Sequence, residues 1–265
     1  MPELPEVETI VKYLRPKLVG RKILDLKSNT PRLFRDHKNN PVEVRRIAVG
    51  RKIEEISRMG KNIIFRLSGG SCMLIHLMMT GKLLVDPKEK GKHDRMVIIL
   101  SGGTRLVFND IRKFGRCRII QRGELTGEDA LAVNFKKFKE LIQSRNGKTK
   151  STLLNQKILA GIGNIYADEI LWYAGIRPLR KADSLKVGEL SKLYKVMREV
   201  LNLAIKKEGT SSRDYRKPDG SEGGYYEIRK AYQRTGERCS LKDGGVIKRI
   251  IVGQRATHFC PKHQK

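Results

Sequence analysis

The chain opens with the stretch Met1-Pro2-Glu3-Leu4-Pro5-Glu6, on which both the fold and the chemistry of the protein depend. If the initiator methionine is removed, Pro2 carries a free secondary α-amine. Such amines have pKa values of roughly 7.7 to 8.0, so part of the population is a nucleophile at neutral pH. A secondary amine that attacks an aldehyde-level carbon forms a charged iminium, which withdraws electrons from bonds further along the substrate. Glu3 and Glu6 stand beside this amine, where one carboxyl group can serve as a general acid or base.

The same stretch has the composition of a helix start. Pro5 suits the first turn, and Glu6 and Glu8 complement the positive end of the helix dipole. Apolar residues follow at helical spacing, at Val7, Ile10, Val11, Leu14 and Leu18. We therefore expect a first helix that Pro16 and Gly20 end and that anchors Pro2 against a core, a role compatible with the catalytic one.

The first nine residues, from Met1 to Thr9, resemble the opening of bacterial formamidopyrimidine-DNA glycosylases. The resemblance implies a base-excision-repair enzyme, a DNA glycosylase and AP lyase that removes oxidised purines such as 8-oxoguanine and formamidopyrimidines. It implies that Pro2 attacks C1′ of the damaged nucleotide, releases the base and nicks the strand by β,δ-elimination through a Schiff base. It also implies that Glu3 protonates the deoxyribose ring oxygen and that Glu6 helps to order the site.

The composition predicts a polyanionic partner. The chain has 265 residues with 56 Lys and Arg against 28 Asp and Glu, a net charge of +28 and a pI near 10.2. Nucleic acid is the first candidate partner and an anionic membrane the second. No apolar run approaches the roughly 20 residues of a membrane span, and the four cysteines are too few for a disulfide framework. We expect a cytoplasmic monomer of about two domains that binds damaged double-stranded DNA and no membrane.

Between Lys22 and about Arg122 the sequence changes to short β-rich runs. These runs are 22–26, 44–56, 62–67, 73–77, 96–100, 105–108 and 117–120. The pairs Gly69-Gly70 and Gly102-Gly103 separate some of them as hairpin turns. The pattern predicts an α+β protein whose N-terminal catalytic domain, residues 1–133, is an antiparallel β-sandwich with flanking helices.

Three segments of this region match the same family. Lys61 reads as an ordinary surface lysine, but the resemblance places it in the active site against phosphate and lesion. Met79 could fill core, but the resemblance has it enter the gap left by an extruded nucleotide. Arg112 and Phe114 pair a cation with an aromatic ring, which suits binding DNA by stacking on bases and facing the orphaned partner base. Ile111 stands where family members usually have proline, so we expect a looser loop there.

The second half of the chain begins with a lysine-rich segment, residues 134–150, that predicts a solvated linker. Helical patterns follow in a domain at 151–224, and one break between them carries Gly161, Gly163 and Asn164. Such glycines often only end one helix and start the next. A turn of this kind also exposes backbone N–H groups to an anion, and by resemblance it is a helix-two-turn-helix in which Asn164 holds a backbone phosphate.

A long helix with an apolar stripe precedes a polar, glycine-rich segment that runs from Thr210 to Tyr226. This composition predicts a mobile loop. By resemblance the loop closes over the everted base and helps to recognise oxidised guanine.

The last 41 residues, 225–265, contain ten basic and three acidic residues, and this charge predicts phosphate binding. The family has here a basic β-hairpin with a zinc site of four cysteines, and an arginine, here Arg255, that grips the phosphates beside the lesion. Two of the cysteines are replaced in this chain, and the residues at the four positions are Cys239, Asp243, Cys260 and His263. All four are zinc-competent, so we expect one structural Zn²⁺ in a zinc-finger-like hairpin; the alternative is a metal-free hairpin held by packing.

The sequence is compatible with two other functions. An endonuclease VIII-like enzyme of the same fold would prefer oxidised pyrimidines, but its opening usually has glycine where this chain has Leu4. Met79 with Arg112 and Phe114 favours the purine-specific branch. A non-catalytic nucleic-acid-binding protein would use only the charge, and borohydride trapping on an abasic-site duplex separates it from the enzymes.

Overall fold

The computed structural model describes residues 1–35, 40–121, 124, 127–211 and 215–265. The chain forms two compact units. The first combines Met1–Leu125 with Glu208–Gly223, and the second combines Thr126–Lys207 with Gly224–Lys265. This division differs from the predicted segments, because most of the glycine-rich segment joins the first unit while the C-terminal hairpin joins the helices. The reason is packing, since the ring of Tyr215 is buried in the core of the first unit.

The first unit is an antiparallel β-sandwich with flanking helices, as predicted. Its elements are α1 (Leu4–Leu18), β1 (Ile23–Ser28), α2 (Pro41–Ala48), β2 (Ile53–Met59), β3 (Asn62–Leu67), β4 (Ser71–His76), β5 (Lys82–Val85), β6 (Asp94–Leu100), β7 (Arg105–Asn109) and β8 (Arg116–Gln121). The strands form two four-stranded antiparallel sheets, in the orders β1-β6-β7-β5 and β2-β3-β4-β8. Side chains of both sheets, such as Phe65 and Phe108, bury one apolar core together with α1.

The first helix anchors the N-terminal residues against this core, as expected. It continues through Pro16, which lies in its last turn, and ends at Leu18. Proline removes one backbone donor at that position. Leu14 and Leu18 are fully buried, and their burial outweighs the lost hydrogen bond.

The sequence predicts a strand over 44–56, whereas the first part of that segment is helix α2. The Asn40 side chain accepts a hydrogen bond from the Glu43 N–H at 2.8 Å, and Pro41 occupies the first turn. Local helix-start chemistry therefore overrides the β-branched composition. Arg122, where the predicted β-rich region ends, lies outside the described residues.

The second unit combines helices, two short strands and a hairpin. Its elements are β9 (Glu128–Asp129), α3 (Phe135–Gln143), α4 (Thr149–Leu154), β10 (Leu159–Ala160), α5 (Asn164–Ala174), α6 (Val187–Lys206), α7 (Tyr225–Ile228), β11 (Lys248–Val252) and β12 (Arg255–Phe259). β9 and β10 pair in parallel, and β11 and β12 form an antiparallel hairpin. These elements confirm the predicted helical domain with a C-terminal β-hairpin. Within the described ranges, no helix is long and apolar enough to cross a membrane.

The sequence predicts a solvated linker over 134–150, and the structure corrects this. α3 occupies much of the segment, and it buries Phe138 and Ile142. Asn134 caps the helix by accepting a hydrogen bond from the Lys137 N–H at 2.9 Å. At the end of the segment, Lys150 is fully buried, with 0% of its surface exposed. The lysine content obscured an apolar face at helical spacing.

Candidate active site and phosphate-binding elements

Pro2 is buried and lines a pocket of the first unit. Met79, Tyr215 and Arg216 line the same pocket, so the N-terminal segment faces side chains from two other parts of the unit. Met1, which masks the Pro2 amine, is 44% exposed. The masking residue is therefore accessible for removal, which would free the amine at this pocket.

Glu3 and Glu6 form a capping box at the start of α1. Glu6 Oε2 accepts a hydrogen bond from the Glu3 N–H at 2.8 Å. Both residues are almost fully buried, with 3% and 1% of their surface exposed. The helix start therefore fixes two carboxyl groups close in sequence to Pro2, one of them on the adjacent residue.

Glu6 also joins the helix start to the segment Glu208–Gly223. Its second oxygen, Oε1, accepts a hydrogen bond from the Thr210 N–H at 2.7 Å. Gly209 has a φ of +89°, and a Cβ there would lie 2.8 Å from Glu6 Cγ, so only glycine fits this approach. Burial raises the pKa of Tyr215 in the same segment, and the Glu6 carboxylate raises it further, so its hydroxyl is protonated at neutral pH.

Lys61 is not an ordinary surface lysine. It stands in the two-residue turn between β2 and β3 and is 5% exposed. Arg58, near the end of β2, donates to the Gly60 carbonyl at 3.2 Å and forms an ion pair with Glu8 of α1 at 3.0 Å. The turn that carries Lys61 is thereby tied to the helix that carries Glu3.

The structure brings Met79, Arg112 and Phe114 together at the surface of the first unit. Arg112 Nη1 lies 3.2 Å from Met79 Sδ, and its guanidinium stands 4.6 Å from the centre of the Phe114 ring. Met79 is 38% exposed, so its side chain does not belong to the hydrophobic core. An exposed thioether, an exposed cation and a half-buried ring in one group present stacking surfaces to a ligand.

Asp110 organises these side chains, although the sequence analysis assigns it no role. It is 1% exposed and accepts hydrogen bonds from the Thr80 hydroxyl, from the Arg112 N–H at 3.2 Å and from the Gly115 N–H at 2.8 Å. The loop that contains Ile111 is therefore fixed by the buried carboxylate of the preceding residue, Asp110. A sequence signal for this role exists. Asp110 directly follows β7, and an aspartate in such a place commonly accepts a hydrogen bond from the backbone N–H two residues later.

A basic concavity on the β2-β3-β4-β8 sheet was also not predicted. Asn62, His76 and Arg116 are direct cross-strand neighbours on β3, β4 and β8, and together with Arg118 they line the concavity. Cross-strand neighbours have Cβ atoms about 5 Å apart, so these donors converge. The strand register, which sequence alone does not provide, creates this site for an anion.

In the second unit the structure brings Asn164 and the C-terminal hairpin together. Asn164 begins α5, and its Nδ2 donates to the Ala256 carbonyl at 2.9 Å. Arg255 is the first residue of β12 and is exposed, directly after the tight turn Gly253-Gln254. The two predicted phosphate-binding residues thus belong to one hydrogen-bonded structure.

The predicted metal ligands also converge in this unit. The ligand atoms of Cys239, Asp243, Cys260 and His263 all lie within 4.8 Å of one another. His263 Nδ1 lies 3.5 Å from Cys239 Sγ and 3.7 Å from Asp243 Oδ2, and Cys260 Sγ lies 3.8 Å from the same carboxylate oxygen. Two sulfurs, one imidazole nitrogen and one carboxylate oxygen form a donor set that suits a tetrahedral Zn²⁺.

The surroundings of this cluster fit a bound cation. His263 Nε2 lies 3.0 Å from the Trp172 carbonyl, which orients Nδ1 toward the other three ligands. A Cβ on Gly245 would lie 2.3 Å from Cys260 Sγ, so glycine is required for the chain to pass this close to the sulfur. Burial, together with the nearby Cys260, raises the pKa of the Cys239 thiol, and a cation would favour its thiolate.

Comparison with known protein families gives two matches. The formamidopyrimidine-DNA glycosylase N-terminal domain matches residues 1–117, and the formamidopyrimidine-DNA glycosylase H2TH domain matches residues 126–216. A formamidopyrimidine-DNA glycosylase of Chloroflexus aurantiacus is 40% identical over 100% of this chain and 98% of its own length. One of Solibacter usitatus is 41% identical over 100% of both chains.

Solved structures resemble the whole chain as well. A complex between the Lactococcus lactis Fpg and an abasic site containing DNA has a TM-score of 0.88 and 33% identity, and the match covers 99% of each chain. A complex between a Lactococcus lactis Fpg mutant and a Fapy-dG containing DNA has a TM-score of 0.89 and 33% identity over 100% of each chain. The similarity therefore extends across both units.

Proposed function

Because the chain belongs to the formamidopyrimidine-DNA glycosylase family, we propose that it is a bifunctional DNA glycosylase and AP lyase that removes oxidised purines during base excision repair. The observation that carries this proposal is the placement of Pro2 at a pocket, next to the buried carboxyl groups at the start of α1. The relatives whose structures contain abasic-site and Fapy-dG DNA support the substrate class. The partner is damaged double-stranded DNA, bound by one copy of the chain.

Pro2 acts as the nucleophile. Its amine forms a bond to C1′ while the bond to the damaged base breaks, and the base leaves with the electron pair and takes up a proton. Glu3 protonates the ring oxygen, so the sugar opens and the nitrogen becomes an iminium. Loss of a C2′ proton converts the iminium to an enamine, whose electrons expel the 3′ phosphate and restore the iminium in conjugation with the new double bond. Loss of a C4′ proton then drives a second elimination that releases the 5′ phosphate. Hydrolysis returns the free amine.

Glu6 and Lys61 support this chemistry. Glu6 holds the Glu3 backbone and the Thr210 backbone through its two oxygens, so it sets the start of α1 against the segment Glu208–Gly223. Lys61 is a nearly buried cation in a turn tied to α1, and it binds the phosphate beside the lesion. A cation in a site with little water interacts strongly with a phosphate.

Met79, Arg112 and Phe114 support extrusion of the damaged nucleotide. Turning a nucleotide out of the duplex costs a few kcal/mol, and side chains that fill the gap offset part of that cost. The three residues already lie in contact and are held by the buried Asp110. Arg112 faces the orphaned base and donates to it, while the ring and the thioether occupy the gap.

Two further elements bind the DNA around the lesion. Asn164 and Arg255 hold backbone phosphates, which is supported by their connection through Ala256 and by the exposure of Arg255. The segment Glu208–Gly223 closes over the everted base, supported by its attachment to Glu6 and by the place of Tyr215 and Arg216 at the Pro2 pocket. Residues 212–214, near the start of the loop predicted from Thr210 to Tyr226, lie outside the described residues.

One Zn²⁺ held by Cys239, Asp243, Cys260 and His263 supports the hairpin that carries Arg255. The ion has a structural role, because all four ligands come from the chain and a closed tetrahedral site takes no substrate. The residues themselves orient the hairpin through the contacts of His263 with Trp172 and of Asp243 with Gly245.

A panel of single lesions in duplex DNA tests the proposed function. We expect 8-oxoguanine and formamidopyrimidine bases to be released at least about tenfold faster than oxidised pyrimidines, a difference of roughly 1.4 kcal/mol in transition-state free energy. The reverse order would identify an endonuclease VIII-like enzyme. Tight DNA binding without release of any base would identify a non-catalytic binding protein.

A further inference from the structure

The second unit contains a fully buried ion pair that the proposed chemistry does not use. Lys150 Nζ lies 2.7 Å from Asp168 Oδ1, and both side chains are 0% exposed. Moving two charges out of water is expensive, and a buried pair is often no more stable than apolar side chains of the same size. The pair therefore calls for an explanation other than general stability.

Each member of the pair also binds the strand that carries Arg255. Lys150 Nζ donates to the Ala256 carbonyl at 3.1 Å and to Thr257 Oγ1 at 2.8 Å. Asp168 Oδ2 accepts the His258 N–H at 2.9 Å and lies 2.9 Å from His258 Nδ1. Lys150 of α4 and Asp168 of α5 thus hold three consecutive residues of β12 with charge-assisted hydrogen bonds, which are about twice as strong as neutral ones.

The held strand is where the two phosphate-binding residues meet. The Ala256 carbonyl that accepts from Lys150 also accepts from Asn164 Nδ2, at 2.9 Å. Arg255 is the preceding residue. A two-stranded hairpin is marginally stable by itself in water, so its position at α5 depends on such attachments.

We propose that Lys150 and Asp168 are positioning residues for phosphate binding. Their ion pair fixes β12 against the start of α5, so that Asn164 and Arg255 are held in one fixed arrangement before the DNA arrives. Pre-organisation of this kind raises affinity, because the ordering has already taken place. The inference rests on the proposed function, and it assigns to the buried pair a role in DNA affinity without any contact to DNA.

A double-mutant cycle tests the proposal through the affinity for a duplex containing a tetrahydrofuran abasic-site analogue. Lys150→Met is expected to weaken binding about tenfold in the wild-type background. In a protein that already carries Asn164→Ala and Arg255→Ala, the same substitution should change affinity less than about twofold, because there is nothing left to position. Lys148→Met, which removes a neighbouring exposed lysine, should have the same small effect in both backgrounds. An equal loss from Lys150→Met in both backgrounds would overturn the proposal.

A second variant separates positioning from folding, because Lys150→Met leaves a buried carboxylate without its partner. The double substitution Lys150→Met with Asp168→Asn removes both charges, and the amide oxygen can still accept the His258 N–H, so that buried donor keeps its partner. We expect its melting temperature to stay near that of the wild type while DNA affinity remains about tenfold weaker. Wild-type affinity in the double variant would show that the pair serves the fold alone.

A kinetic measurement keeps this inference distinct from the proposed function. Pro2 and Glu3 lie in the first unit, so the variants should raise KM for abasic-site DNA about tenfold and leave kcat within about twofold. A fall in kcat with unchanged KM would overturn the positioning role. If the wild type lacked lyase activity, the proposed function would fail, and the binding cycle would still decide the inference.

Discussion

In the first unit, the loops that carry Met79 and Arg112 are attached to a large apolar core, whereas in the second unit the hairpin that carries Arg255 is held by buried polar groups and flanked by a small apolar cluster. The core of the first unit includes residues from both sheets and from α1. The cluster near the hairpin consists of Trp172, Ala231, Cys239, Ile247 and Cys260. Two of these five residues, Cys239 and Cys260, are also candidate metal ligands.

The difference separates two uses of buried polar groups. Glu6 and Asp110 in the first unit accept hydrogen bonds from loop backbone and so determine where catalytic side chains point. Lys150, Asp168 and the metal ligands in the second unit hold a whole strand pair in place. Changes in the first unit should therefore reduce catalysis more than stability, and changes in the second should reduce DNA affinity more than catalysis.

The largest expected effect is the loss of a metal ligand. Cys260→Ser should reduce bound zinc from about one equivalent to less than about a tenth and unfold the hairpin, because zinc binding in small structural sites contributes roughly 10 kcal/mol or more. Elemental analysis of protein purified without chelator measures the metal, and DNA affinity should fall at least about 100-fold. Cys72→Ser in the first unit is the matched control and should keep the zinc. If the wild-type protein contained no zinc, the claim that a metal helps to hold the hairpin of the second unit would be wrong.

The next largest effect concerns Arg112 and Phe114 in the first unit. Arg112→Ala and Phe114→Ala should each lower excision of 8-oxoguanine from duplex DNA about 100-fold, which corresponds to a loss of roughly 2.7 kcal/mol of transition-state stabilisation. Cleavage of a preformed abasic site should change less than about threefold, because Pro2 chemistry is untouched. Lys113→Ala is the control, because it changes the same loop and keeps every void-filling side chain. Equal losses on both substrates would show that these residues do not support extrusion.

Asp110→Asn should have a moderate effect and tests whether a buried carboxylate in the first unit serves position more than stability. The amide keeps the size but weakens the hydrogen bonds to the Thr80, Arg112 and Gly115 donors, which contribute about 1.5 to 3 kcal/mol each when the acceptor is charged. We expect base excision to fall about tenfold and the melting temperature to fall by only a few degrees. A large fall in melting temperature with normal excision by the folded fraction would contradict the comparison.

The smallest effect is expected at an exposed ion pair of the second unit. Arg180 Nη2 lies 2.7 Å from Glu189 Oε2, and the Arg180 hydrogen bond lowers the pKa of the Glu189 carboxyl. Because the pKa of Glu189 is lower in the folded state, its ionised form stabilises the fold at pH values above its pKa in the unfolded chain, near 4.3. This stabilisation is lost as the pH falls through the pKa of the folded state. Glu189→Gln should therefore cost about 0.5 kcal/mol at pH 7, because the pair is partly exposed, and less at pH 3. Urea unfolding at both pH values checks this, and a loss that is as large at pH 3 as at pH 7 would exclude the ion pair as its cause.

The sequence predicts the sandwich, the helical domain and the hairpin because their patterns are local. The short apolar run predicted over 62–67 matches the bounds of β3, and the glycine pairs mark two hairpin turns. The segment 134–150 was misjudged because its lysines dominate its composition, while Phe138 and Ile142 determine its packing. Lys150 shows most clearly what a sequence cannot predict. A lysine in a sequence predicts an exposed side chain, and only the folded structure shows that Lys150 is buried with Asp168 as its partner.

The parts of the candidate site that can be predicted from sequence are those in which the residue type alone indicates the chemical role. Pro2 can be recognised from its residue type and position, and the resemblance to the family indicates Glu3 and the four metal-ligand positions, whose side chains the structure brings together. Asp110 and the basic concavity around His76 were missed because their roles come from partners distant in sequence. Such partners depend on strand register and loop closure, which a single sequence does not specify.

Borohydride trapping with an abasic-site duplex tests the central claim most directly, because it captures the iminium formed by the nucleophile. Active protein should lack Met1, and the crosslinked peptide should carry the DNA remnant on the nitrogen of Pro2, in an amount that matches the active fraction. Protein that retains Met1 should neither crosslink nor cleave. A crosslink that maps to a lysine such as Lys61, or full lyase activity in protein that retains Met1, would contradict the assignment of Pro2 as the nucleophile.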